Sequence, residues 1–138
     1  MSRIARSPEH LARGWREALV ARDAAAFAGL FAPDGVMVDV EHRTADLLQA
    51  RPIRGRAAIQ ELTVGWLRDT PSFEFEITGL LSDEAMAAYR WTYEVPGAED
   101  SVAVDGITWL TCSDGLIDEA LVCFDSYALL QGLGTVRP

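Results

Sequence analysis

Apolar residues recur at helical spacing in the first half of the chain and at strand spacing in the second. Leu11, Ala12, Trp15, Ala18 and Leu19 share one face of a helix and predict an amphipathic segment over 8–21. Ser7 is placed to cap it, with Pro8 at the first helical position. Asp23 caps a second, short helix carrying Ala26, Phe27, Leu30 and Phe31, and Pro33-Asp34-Gly35 closes it as a turn. Val36–Val40 reads as a strand in which Asp39 is the one charge. Residues 41–53 are long and largely polar, with Leu47-Leu48 in the middle and Pro52 near the end, and predict a loop or a short helix. A third helix begins at Gly55-Arg56-Ala57-Ala58-Ile59 and reaches Arg68, burying Ile59, Leu62, Trp66 and Leu67.

Strands follow: 72–81, a turn at Asp83-Glu84, 85–95, and a turn over 96–100. Tyr89, Trp91 and Tyr93 alternate with Arg90, Thr92 and Glu94, the signature of a half-buried strand. Two further apolar runs, Val102–Cys112 and Leu116–Phe124, flank Ser113-Asp114-Gly115. Asp-Gly between such runs predicts a hairpin, because Gly accepts the positive φ of a tight turn. After Phe124-Asp125-Ser126 the residues Tyr127-Ala128-Leu129-Leu130 and Gly132 predict a short helical turn, with Asp125 as its cap. Helices early and antiparallel strands late make an α+β chain, one domain over 1–138.

Composition narrows the function. With 138 residues, 49% of them hydrophobic, the chain has enough to bury one core. A net charge of −9 argues against nucleic acid and anionic membranes as partners, since phosphates reward clustered Lys and Arg. No apolar run is long enough to span a bilayer, and the N-terminus lacks an apolar signal core, so the expected location is cytoplasmic. The two cysteines, Cys112 and Cys123, lie on the two arms of the hairpin and read as buried small apolar residues, with a disulfide conceivable. Two histidines without shared spacing make no metal motif, and no Gly-rich phosphate loop or nucleophile elbow is present. The expectation is no metal and no cofactor.

The ordered set Trp15-Arg16-Glu17-Ala18-Leu19, Arg22-Asp23, Phe27, Leu30-Phe31-Ala32-Pro33-Asp34, Gly55-Arg56-Ala57-Ala58-Ile59 and the ending strand, Asp-Gly, strand, Phe-Asp, Leu-Leu, Gly resembles the SnoaL-like branch of the nuclear transport factor 2-like superfamily. The resemblance implies a cone: a curved antiparallel sheet wrapped on three N-terminal helices. The open end of the cone would be a ligand pocket, and the outer face of the sheet would pair two chains as a homodimer. Residues 41–53, longer than the usual connection, would then cover the pocket mouth.

Residue by residue, the resemblance gives a mixed answer. The catalytic carboxylate of the cyclases, seven residues after the hairpin glycine, falls on Val122. Their histidine, seven residues before it, falls on Thr108. The oxyanion-donating tyrosine of the steroid isomerases falls on Trp15. Val122 cannot exchange a proton, and an indole donates without titrating. Asp39 matches the general base of the steroid isomerases. Apolar neighbours would raise its pKa and suit it to proton abstraction; the competing reading is an aspartate in water or paired with an arginine. His42 follows and could relay a proton or hold a substrate oxygen, whereas His10 reads as solvent-facing. Asp105 shares a strand face with Ile107 and Trp109, opposite Thr108, and points outward.

These readings predict a cofactor-free enzyme for a hydrophobic, flat or polycyclic small molecule. Asp39 and His42 are the catalytic candidates. Trp15, Met37, Trp66, Thr108, Val122 and Phe124 are the substrate-binding candidates, with Trp91, Tyr89 and Tyr93 as further aromatic wall. The reaction would be cyclisation or isomerisation through proton abstraction beside a carbonyl. A non-catalytic binding or assembly module, and an epoxide hydrolase or dehydratase with a second acid from 41–53, are the alternatives.

Overall fold

In the computed structural model, residues 6–44, 47–97 and 99–124 are described, with backbone alone for 41–44 and 47–49. Three helices and six strands follow in the order α1 (Pro8–Val20), α2 (Ala24–Ala28), β1 (Phe31–Thr44), β2 (Leu47–Arg54), α3 (Arg56–Asp69), β3 (Glu74–Ser82), β4 (Met86–Pro96), β5 (Ser101–Ser113) and β6 (Leu116–Phe124). Local chemistry sets the boundaries. The Ser7 hydroxyl accepts from the His10 amide at 3.1 Å, and the Asp23 carboxylate from the Ala26 amide at 2.9 Å, so both helix starts have a side-chain cap. Asp114 and Gly115 both have positive φ, 53° and 74°, the pair of angles a type I′ hairpin turn requires. The Asp83 carboxylate accepts from the Ala85 and Met86 amides, which hold it below the usual carboxylate range and close the β3–β4 turn.

One sheet of order β2-β1-β6-β5-β4-β3 wraps the helices. Its neighbours are antiparallel except β1 and β6, which run parallel, so the sheet is mixed rather than wholly antiparallel. The chain returns to β6 only after α3 and four intervening strands, β2 to β5, the long crossover that parallel pairing demands. Pro33-Asp34-Gly35 lies within β1 rather than in a separate turn, and the register with β6 slips between Phe31 and Val36 to absorb it. Residues 41–53 are neither a loop nor a helix where described. They complete β1 and form β2, an edge strand that tolerates Pro52 because its outer side needs no ladder partner.

Leu11, Trp15 and Leu19 of α1, Phe27, Phe31 and Ile59 pack on Tyr89, Leu110, Ile117 and Ala120 from the concave face. Arg16 ties α1 to β3 through the Phe75 carbonyl and the Glu76 carboxylate. Arg22 donates to the carbonyls of Leu67 and Thr70, which end α3. Burial alternates strictly along β4 and β5, placing Tyr89, Trp91, Tyr93, Val104 and Thr108 inside and Asp105, Ile107 and Trp109 outside. The segment from Asp125 onward, with its expected helical turn, lies outside the described residues. Among the described residues no helix is long and apolar enough to cross a membrane.

Candidate functional site

Strand register builds the site as a row across the concave face. Arg51 on β2 opposes Asp39 on β1, Asp39 pairs with Val122 on β6, Val122 with Thr108 on β5, and Thr108 with Tyr89 on β4. All share one face because equal steps along paired strands preserve the side on which side chains emerge. Above this row, α1, α2 and α3 close a cavity of about 310 Å3.

The wall is aromatic and aliphatic. Trp15 and Phe27 come from the first two helices, Leu62 and Trp66 from α3, and Phe75, Trp91, Tyr93 and Phe124 from the strands. Trp91 stacks on Phe75 at 5.3 Å and meets Phe124 at 5.7 Å. Its indole lies directly over Gly106, where an added Cβ would stand 2.1 Å from the ring. That space lets Trp91 Nε1 donate to Thr108 Oγ1 at 2.9 Å, fixing both the ring and the hydroxyl. Trp66, Phe73 and Tyr93 form a second aromatic group at one side. Burial pushes the Tyr93 hydroxyl up to about 12, with hydrogen bonds from Thr70 and Trp66 acting the other way. Tyr89 sits behind the cavity, fully buried; burial pushes its hydroxyl well up, against the influence of the facing Thr108, and no hydrogen bond of good geometry satisfies it.

Polarity concentrates at one end. Among the described lining residues Asp39 is the one carboxylate and Arg51 the one cation. Arg51 Nη2 stands 3.7 Å from Asp39 Oδ2, with the aspartate side chain 19% exposed and the arginine side chain 46% exposed. Arg51 also borders an outer groove between β2 and α3, alongside Pro52, Glu61, Leu62 and Trp66. Asp39 therefore combines the two readings its sequence left open: it faces an apolar cavity and it pairs with an arginine.

Of the sequence candidates, Trp15, Met37, Asp39, Trp66, Thr108, Val122 and Phe124 all line this cavity. His42 belongs to β1 by its backbone, and its side chain is outside the described residues. His10 and Asp105 are exposed, away from the cavity. Cys112 points inward and Cys123 outward, so Cys123 is exposed rather than buried and the two thiols are free. Arg51 lies in the stretch 41–53, which the sequence reads as a loop or a short helix over the pocket mouth rather than as a strand beside Asp39. Its signal was an opposite charge at hairpin distance from Asp39.

The fold is a cone whose curved sheet carries an apolar cavity on its concave face. The sequence profile of the SnoaL-like domain matches residues 12–120, and the chain belongs to that family. No curated protein matches the chain significantly. Solved structures share the fold. A protein of ketosteroid isomerase-like fold from Catenulispora acidiphila, in complex with trimethylamine, aligns with a TM-score of 0.77 at 20% identity over 94% of this chain and 95% of its own. A candidate SnoaL-like polyketide cyclase from Jannaschia aligns at 0.74 and 11% identity over 100% and 99%. AclR, a candidate hydroxylase from Streptomyces galilaeus, aligns at 0.71 and 18% identity over 95% and 87%.

Proposed function

We propose that the protein is an acid–base enzyme for a hydrophobic carbonyl compound, with Asp39 as the general base. The observation that carries this reading is that Asp39 is the one carboxylate among the described residues in the wall of a largely apolar cavity. A desolvated site strengthens charge interactions and keeps water from competing for the proton. Asp39 removes a proton from the carbon beside the carbonyl, and the resulting enolate closes a ring or returns the proton elsewhere. Thr108, held by Trp91, and the indole of Trp15 supply further polarity on the wall. No metal or cofactor is called on. The test is deuterium exchange at the activated carbon of 2-tetralone, a bicyclic ketone, comparing wild type with Asp39→Asn. The reading requires exchange above the buffer rate that Asp39→Asn lowers by about 10²-fold or more; full exchange in the variant contradicts it.

A binding module without chemistry is the second reading, favoured by Val122, an apolar residue buried beside Asp39 in the row. Tight binding of bicyclic ligands without any exchange would select it.

The working unit is a homodimer formed through the outer face. Ile107 and Trp109 are 56% and 47% exposed there, and Leu121 continues the patch beside Trp109. Val38 extends the same row on β1, and the Arg90–Asp105 ion pair flanks it. A large apolar area with opposite charges at its margin is self-complementary under a twofold axis.

A further inference from the structure

We infer that Arg51 is the oxyanion partner of Asp39, and that the substrate is an enolisable ketone carried on about two fused rings. The inference rests on the proposed acid–base reading and extends it to a residue and a substrate class. Three observations carry it. Arg51 and Asp39 are directly opposed across β1 and β2 and meet at 3.7 Å on the cavity wall. A ketone oxygen and the neighbouring carbon that loses a proton are separated by two bonds, so base and oxyanion donor must stand side by side, as these two do. Thr108, by contrast, lies two strands from Asp39 in the same row. A guanidinium carries five N–H donors in a planar fork, so it can engage the aspartate and a ligand oxygen together.

Size sets the ring count. An apolar cavity of about 150 Å3 holds one benzene ring. This one, at about 310 Å3, has room for roughly two fused rings. Trp91 and Phe75, stacked on each other, and Trp66 give flat apolar surface for such a ring system. Arg51 also reaches the outer groove, so a substituent beside the carbonyl can leave the cavity along β2.

The step balances without a co-reactant. The C–H bond breaks and its proton goes to the Asp39 carboxylate. The electron pair forms the C=C bond, and the carbonyl π electrons move to oxygen, where Arg51 N–H groups hold them. Reprotonation at carbon restores both groups. In the transition state the oxygen gains charge, so a donor aimed there stabilises it more than the ketone.

The test uses 2-naphthols, planar mimics of the enol of 2-tetralone, in a series of rising acidity. Calorimetry of wild type, Arg51→Gln and Arg51→Lys reads their affinity. The expected result is affinity that rises with naphthol acidity in wild type, is flat in Arg51→Gln and is intermediate in Arg51→Lys. Binding of naphthalene-2-methanol, which has no acidic oxygen, shows that the cavity of each variant is intact. An equal slope in wild type and Arg51→Gln, or no slope in wild type, overturns the assignment. So does failure of wild type to bind any of these ligands. Arg51→Gln also lowers 2-tetralone exchange, by about 10²-fold. A purely structural partner of Asp39 would lower exchange without changing the naphthol slope. The proposed base role fails separately: Asp39→Asn would then leave exchange intact, whatever the naphthol series shows.

Discussion

Asp39 and Arg51 face each other across the β1–β2 pairing, with their charged groups 3.7 Å apart on the wall of an apolar cavity. The separation is too long for a close charge-assisted hydrogen bond, and the arginine is half in water. Solvent screening keeps such a pair weak as a stabilising element. A double-mutant cycle of Asp39→Asn and Arg51→Gln, followed by urea unfolding, is expected to return a coupling of about 1 kcal/mol or less that shrinks further in high salt. The importance of the pair lies in its placement, and the functional loss from either substitution exceeds the stability loss.

Gly106 fixes the cavity floor. Any Cβ there collides with the Trp91 indole, whose neighbours Phe75 and Phe124 leave it little room to tilt. Gly106→Ala breaks the Trp91–Thr108 hydrogen bond and overpacks the core, costing about 1–3 kcal/mol. Near-UV circular dichroism should show the altered indole environment, and urea unfolding the loss.

Alkaline pH acts through buried neutral groups. Burial, with a smaller contribution from Asp118, pushes the Cys112 thiol up from 9.0 to about 11, and burial pushes the Tyr93 hydroxyl from 10.0 to about 12. Both folded-state values lie above the unfolded ones, so their contribution is fully present below about pH 9. It is lost as pH rises, because the unfolded chain ionises first. Urea unfolding across this range should show falling stability, with Cys112→Ala flattening the earlier part of the decline.

The outer face reports on assembly. Cys123 opposes Ile107 across β5 and β6 and emerges on the same side as Trp109. Light scattering should give a dimer for wild type and a monomer for Trp109→Glu. Labelling of Cys123 by a thiol reagent should be slow in the dimer and fast in the variant. Cys112, buried on the opposite face, should react in both only on unfolding. A monomeric wild type would remove the dimer from the account.

Much of this is legible in the sequence itself. The helical spacing of Leu11, Trp15 and Leu19, the caps Ser7 and Asp23, and the Asp114-Gly115 turn each act locally, so sequence carries them. The alternation through Tyr89, Trp91 and Tyr93 does the same for β4, whereas the pocket face of β5 at Thr108 comes from the family resemblance. What escaped depends on long-range pairing. β2 has an edge position, a proline and apolar residues that do not alternate, and it becomes a strand because β1 offers a partner rather than through its own propensity. Arg51 enters the site with it. The parallel join of β1 to β6 and the space under Trp91 at Gly106 likewise involve residues distant in the chain. Trp91 reads from sequence as a wall residue, but the space it needs at Gly106 appears only when β4 and β5 pair.

The most direct test of the central claim is deuterium incorporation into 2-tetralone, followed by NMR, for wild type and Asp39→Asn side by side, with and without 2-naphthol. The account predicts exchange well above the buffer rate in wild type, suppressed by 2-naphthol occupying the cavity, and reduced by about 10²-fold or more in the variant. Exchange that is indifferent to Asp39→Asn, or that 2-naphthol does not suppress although it binds, would mean that the base is elsewhere and that this cavity does not carry the chemistry.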